Sequence, residues 1–208
     1  MHVVATLLFP EFELLDVFGP LEMFGLLPDQ FHLTMIAQQG GSVVSAQGPR
    51  VAIDQTLDAV DTPPDILLVP GGRGTRREVD NPILLDWLRR TGARAGMVTS
   101  VCTGSALLAR AGLLDGRRAT TNKRAFDWVT TQGPATDWQA SACWIEDGKF
   151  FTSSGISAGI DMALGIIARL HGAEAATEVA NRAEYTANTD PGNDPFARAP
   201  ETLNQDPS

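Results

Sequence analysis

Positive charge is scarce in this chain. Sixteen Lys and Arg residues stand against 25 Asp and Glu, for a formal net charge of −9. No basic stripe is present of the kind that neutralises phosphates, so a nucleic-acid partner is not expected. Cysteine is scarcer still. Cys102 and Cys143 are the only two, too few for a disulfide framework and without zinc-type spacing; neither a metal nor a cofactor is expected. The three histidines are His2, His32 and His171, at the terminus, at a strand start and at a helix end. None accompanies a strand-end loop, which deprives a Cys–His hydrolase of its base. No apolar run approaches the about 18 residues of a membrane-spanning helix. The first residues meet Pro10 and acids rather than a small-residue cleavage site, and read as a strand, not a signal peptide. These absences predict a cytoplasmic protein with no nucleic-acid or membrane partner; a small-molecule substrate is expected from the residues around Cys102.

What is present is an alternation of buried strands and helices. Continuous apolar runs at 3–9, 31–37, 65–72 and 95–101 fit strands covered on both faces. Helical periods follow at 12–27, 81–94, after Cys102 to about Gly112, and at 123–133, 158–172 and 173–185. Gly19-Pro20 is expected to break or kink the first of these, and Asn81-Pro82 to open the second. Residues 42–57 read as a hairpin around Gly48-Pro49, 117–121 as a short strand, and 142–154 as two strands about an Asp-Gly turn. The pattern predicts an α/β fold, a doubly wound, mostly parallel sheet sandwiched by helices. It gives one domain over 1–186, with a polar, Pro-rich tail over 187–208 expected to be extended or loose.

The chemistry centres on "SVCTGS". Cys102 falls where a buried strand turns into a helix, and in open α/β sheets such junctions face the ligand crevice. The helix start after it offers free N–H groups, and a lowered thiol pKa is expected. Asp16 lies among Leu14, Leu15, Val17 and Phe18; it is either a capping acid or a desolvated one with a raised pKa. "VPGGRGT" lacks dinucleotide-fingerprint spacing. It is an ordinary glycine turn, or a loop in which the Gly72 N–H receives developing negative charge. In "SSGISAGID" the backbone at Gly155, Ile156 and Ser157 can approach a small ligand closely. Cys143 reads as structural.

Taken together, "LLFPEFELLDVFGP", "ILLVPGG", "VTSVCTGSALLARAGLLDGRRATT" and "SGISAGIDMAL" resemble the DJ-1/PfpI superfamily, and within it the isocyanide hydratases. The resemblance runs from the first strand to about Tyr185 and implies a flavodoxin-like fold. It also implies Cys102 as an elbow nucleophile in a strained conformation, with Asp16 as its acidic partner and Thr103 following as in the hydratases. Gly72 falls in the oxyanion loop and Ile156 at a backbone position near the site. Homodimers are implied as well. After "RRATT", where some relatives carry histidine, this chain has Asn122, which forms hydrogen bonds but shuttles no proton at neutral pH. The expected reaction is addition of water to a small isocyanide, giving an N-substituted formamide, with Cys102 as nucleophile and Asp16 as general acid/base. Phe9, Phe18 and Ile156 are expected to line the pocket. The alternatives are a glyoxalase-like activity on α-oxoaldehydes and a non-enzymatic redox or ligand sensor using Cys102. A regulator would need a DNA-binding module, for which the chain leaves no room after residue 186.

Overall fold

The computed structural model describes residues 1–197. The first apolar run becomes β1 (His2–Leu8), whose residues from Val4 onward are buried on both faces. α1 (Leu14–Gly25) leads to β2 (Phe31–Ala37), and an antiparallel hairpin, β3 (Ser42–Val44) and β4 (Arg50–Ala52), leads to the two-residue strand β5 (Gln55–Thr56). β6 (Ile66–Val69) is followed by the single turn α2 (Thr75–Glu78) and by α3 (Pro82–Arg94). As the Asn-Pro pair predicts, the Asn81 side chain caps α3 by accepting from the Leu84 N–H. β7 (Met97–Val101) runs into α4 (Gly104–Arg110). β8 (Arg118–Ala119), α5 (Phe126–Gln132) and β9 (Asp137–Trp138) come next, with β8 and β9 paired apart from the main sheet. The chain closes with the antiparallel pair β10 (Trp144–Asp147) and β11 (Phe150–Ser153), then α6 (Ala158–His171) and α7 (Ala173–Arg182).

The central sheet has seven strands in the order β10-β11-β7-β6-β1-β2-β5, all parallel except β10. The helices pack in two groups, α1 with α6 and α7, and α2 through α5, one for each face. This is the doubly wound architecture the alternation predicts. Its winding reverses between β1 and β6, where the loops beyond the strand ends diverge and leave a crevice. The segments after β1, β6, β7 and β11 meet there.

Two expectations are corrected. α1 is continuous through Gly19-Pro20. Both residues are buried, and packing of this stretch on α6 overrides the helix-breaking tendency: a Cβ on Gly19 would lie 2.9 Å from Ile160 Cγ1. The segment after Thr186 is irregular but not loose. Pro191 C=O accepts from the Cys143 N–H (2.8 Å), the Asn188 N–H donates to Asp161 Oδ1 (2.9 Å), and the Asp194 N–H donates to Ser141 C=O (3.1 Å). The last residues of the tail, 198–208, lie outside the described residues. Among the described residues, no helix is long and apolar enough to cross a membrane.

Candidate active site

Cys102 occupies the turn from β7 to α4 with φ of 57°, a left-handed conformation that costs a non-glycine residue energy unless its surroundings enforce it. They do so from both sides. Its N–H donates to the carbonyls of Ser153 (3.2 Å) and Ser154 (3.1 Å) at the end of β11. Its own carbonyl accepts from Thr121 Oγ1 (2.9 Å) and Ser105 Oγ (3.2 Å). The thiol is thereby held, buried, between Asp16, Thr103, Asn122 and Gly155.

Asp16 arrives from the first turn of α1. The loop before it is stitched to the β6 loop, because Phe12 bridges to Gly72 and the Glu13 N–H donates to Gly71 C=O at 2.9 Å. Asp16 is fully buried; its Oδ2 accepts from the Gly71 N–H at 2.8 Å, and the Cys102 thiol is within hydrogen-bonding reach of the carboxyl. Burial raises the carboxyl's pKa well above the ordinary value, against the pull of the Gly71 N–H. The desolvated reading of Asp16 is the one realised. The glycines here are forced by contact. A Cβ on Gly71 would sit 2.6 Å from Thr103 N and 2.8 Å from Asp16 Oδ2, and Gly72 has φ of 121° against the carbonyl of Glu11.

The thiol departs from expectation. Burial, and then the charge of Asp16, push Cys102 well above the usual thiol range. The Thr103 N–H and the side chains of Asn122 and Thr103 favour the thiolate but do not outweigh desolvation. The seven-residue α4 adds too little field to reverse this. Cys102 and Asp16 thus form a proton-retaining pair.

Gly72 departs as well. Its N–H donates to Thr103 Oγ1 at 3.1 Å, and Thr75 Oγ1 lies 3.1 Å from the same oxygen. The Gly72 amide is committed to Thr103, and the backbone donor that reaches the Asp16 carboxyl is that of Gly71. Nothing in the letters of "PGGRG" tells which of the adjacent amides turns inward.

Next to Gly155 and Asn122 opens a cavity of about 740 Å³, lined by these two with Glu13, Leu15, Lys123, Arg124, Ile156, Ser157 and Phe196; Cys102 and Asp16 lie behind this lining and are not part of it. Ile156 is where the sequence places it. Phe9 and Phe18 are not part of the lining. Phe9 is buried against a separate cavity of about 330 Å³ beyond β1 and β2, and Phe18 is 42% exposed on α1. Gly155 forms the floor over the sulfur; a Cβ there would lie 2.8 Å from Cys102 Sγ and 2.3 Å from Asn122 Nδ2. Phe196, Lys123 and Arg124 were not foreseen as cavity residues. The histidines stay away from the site: His2 and His171 meet edge to face, ring centres 5.7 Å apart, at the opposite end of the sheet, where β1 begins.

A second, smaller cavity of about 100 Å³ shares Gly155, Ser157 and Phe196 with the first and adds Cys143, Asp161, Asn188 and Asp194. Burial, with Asp161 and Asp194 nearby, pushes the Cys143 thiol up to about 11, which keeps it unreactive. Lys123 Nζ donates to Ala142 C=O (2.6 Å) and Thr120 Oγ1 (2.7 Å) and lies 3.6 Å from Asp194 Oδ2. Among the described residues, no group of three or more His, Cys, Asp or Glu could hold a metal ion.

Known proteins share this fold. An isonitrile hydratase of Pseudomonas putida is 39% identical over 186 residues, which cover 88% of this chain and 78% of that enzyme. The transcriptional regulator CdhR of Pseudomonas aeruginosa is 34% identical over 74% of the chain, a stretch that spans only 45% of the regulator. The crystal structure of a ThiJ/PfpI family protein from Pseudomonas syringae superposes with a TM-score of 0.83 at 30% identity, covering 90% of this chain and 76% of that one. The DJ-1/PfpI family model matches residues 2–169, and with the elbow cysteine, the buried carboxyl and the β6 glycine loop in place, the chain belongs to the DJ-1/PfpI family.

Proposed function

We propose that this protein hydrates a small isocyanide, R–NC, to the N-substituted formamide, R–NH–CHO. The observation that carries the reading is the buried Asp16 carboxyl, held by the Gly71 N–H beside a cysteine that has no histidine near it. An isonitrile hydratase as the relative at 39% identity supports it. The terminal carbon of an isocyanide accepts a soft sulfur nucleophile and must then be protonated. As the Cys102 Sγ–C bond forms, Asp16 gives its proton to that carbon and takes the thiol's, leaving R–N=CH–S–Cys102. Water then adds to the carbon. Asp16 protonates the nitrogen and receives a proton from the water, giving R–NH–CH(OH)–S–Cys102. The C–S bond breaks as the carbonyl forms, and the hydroxyl proton returns through Asp16 to the sulfur. One carboxyl alternates as acid and base, and burial, which favours its protonated form, suits it to the first of these roles. Thr103 fixes the loop that aligns Asp16, and Ile156 lends the cavity an apolar wall for R. The homodimer implied by the resemblance belongs to the same reading, and sedimentation equilibrium tests it.

The test is incubation with p-nitrophenyl isocyanide, following the formamide. Turnover is expected in the natural chain, none in Cys102→Ala, and a rate reduced roughly 10²- to 10⁴-fold in Asp16→Asn. Absence of turnover, or an unchanged rate in Cys102→Ala, overturns the proposal. Consumption of an α-oxoaldehyde instead would put the glyoxalase-like reading in its place.

A further inference from the structure

Asn122 stands at the turn that opens α5, beside the β11–α6 loop. Its side chain has two unlike ends. The oxygen, Oδ1, accepts from the backbone N–H groups of Arg124 (3.0 Å) and Ala125 (3.0 Å), capping the turn that opens α5. With the oxygen committed to two donors, the amide group can face only one way. Its nitrogen, Nδ2, is therefore turned to the β11–α6 loop, where it and Cys102 Sγ crowd the same face of Gly155, within 2.3 and 2.8 Å of where a Cβ would stand. A side chain at residue 155 would collide with both the nitrogen and the sulfur, so glycine there leaves both atoms on the same side of the loop.

We propose that Asn122 is a positioning residue for Cys102: its amide N–H, oriented by the cap, donates to Sγ, holds the sulfur in place and stabilises the negative charge that grows there. The hydrogen bond from this side chain is one of the few interactions favouring the thiolate against burial. The inference rests on Cys102 being the nucleophile. An imidazole at this position would titrate and change the donor's charge, whereas an amide donates at every pH.

The charged groups facing the sulfur are few. From α1 comes Asp16, with Glu13 just before the helix. Beside Asn122, Lys123 turns its ammonium to Thr120, Ala142 and Asp194, and Arg124 lines the cavity. The β6 loop at Gly71 and Gly72 and the stretch from Ser154 to Ser157 carry no charged side chain. Removing the Asn122 donor therefore leaves Asp16 as the main influence on the thiol.

The test is the pH profile of Cys102 alkylation by iodoacetamide, read by mass spectrometry on the intact chain. Asn122→Asp keeps an oxygen for the Arg124 and Ala125 N–H groups and removes the donor. The midpoint is expected to rise by about one unit, slowing alkylation near pH 7 about tenfold with thermal stability retained. Asn122→Asp also adds a carboxylate, so Asn122→Ser decides the point: it can still cap, adds no charge and is too short to reach the sulfur. It shifts the profile in the same direction, and a shift in Asn122→Asp with none in a folded Asn122→Ser overturns the proposal. Profiles that coincide with that of the natural chain in a folded variant overturn the proposal. Alkylation does not depend on which electrophile is the natural substrate, so failure of the isocyanide assay leaves this result standing.

Discussion

At the scale of single residues, the site is a contest between desolvation and hydrogen bonding. The letters around Cys102 reveal a sharp strand-to-helix turn but not how deeply the thiol is buried, so a helix-end argument gave the wrong sign for its pKa. The Asp16 argument survives because it rested on burial among apolar neighbours, which the structure reproduces. The inward turn of the Gly71 amide was not legible, because its partner Asp16 is 55 positions away. The Asn122 amide is turned by a local cap to Arg124 and Ala125, but what its nitrogen faces, Gly155 of the β11–α6 loop, was not legible. The raised Asp16 pKa carries a stability consequence. The native state holds this proton more tightly than the unfolded chain does, so the contribution is fully present below about pH 4, the ordinary carboxylate range. It is lost as pH rises toward the raised native value. Asp16→Asn keeps an acceptor for the Gly71 N–H and removes the titration. It is expected to be more stable than the natural chain at neutral pH, the difference closing as pH falls toward 4, about the unfolded value. Urea midpoints across that range measure it, and a difference independent of pH would show that Asp16 ionises freely in the native state.

At the scale of elements, strands and long helices were readable because apolar periodicity reports burial directly. Failures came where a short segment borrows its stability from neighbours. β5 has two residues and α2 four, too few for a period to register. α1 shows the converse, a local breaking signal overridden by packing. Gly19 faces Ile160 on α6, and on the α6 side Gly159 would place a Cβ 3.2 Å from Pro20 Cγ. These small contacts set how closely α1 approaches, and Asp16 lies one turn earlier on the same helix. Gly19→Leu should push α1 off α6, costing about 1–3 kcal/mol of stability. It should also lower kcat/KM about tenfold by displacing the carboxyl from the thiol. Denaturant unfolding and steady-state kinetics test the two effects separately. A destabilised variant with full activity would show that the α1–α6 spacing does not govern Asp16.

At the scale of the whole molecule, the crevice is completed by a segment whose composition marks it as a tail. Residues 187–197 supply Phe196 to the larger cavity and Asn188 and Asp194 to the smaller one. They also hold the one partly neutralised buried cation of this region. The side chains of Lys123 and Asp194 are 5% and 2% exposed. Burial lowers the Lys123 pKa, and Asp194 works against that. A chain ending at residue 186 leaves the ammonium buried with only Thr120 Oγ1 and Ala142 C=O. Relative to a chain ending at Ala197, it should lose about 3–5 kcal/mol near neutral pH, the cost of stranding one member of a buried pair. The sign of the pH dependence identifies the cause. A lysine whose native pKa lies below its unfolded value near 10.4 binds its proton less tightly when folded, so stability rises with pH up to that value. Removing Asp194 lowers the native value further, so the deficit of the shortened chain should narrow as pH is raised toward about 10. Asp194→Ala in the full chain should show the same narrowing. Equal unfolding midpoints for the two chain lengths would detach residues 187–197 from the folded unit, and a deficit constant with pH would remove Lys123 as its source.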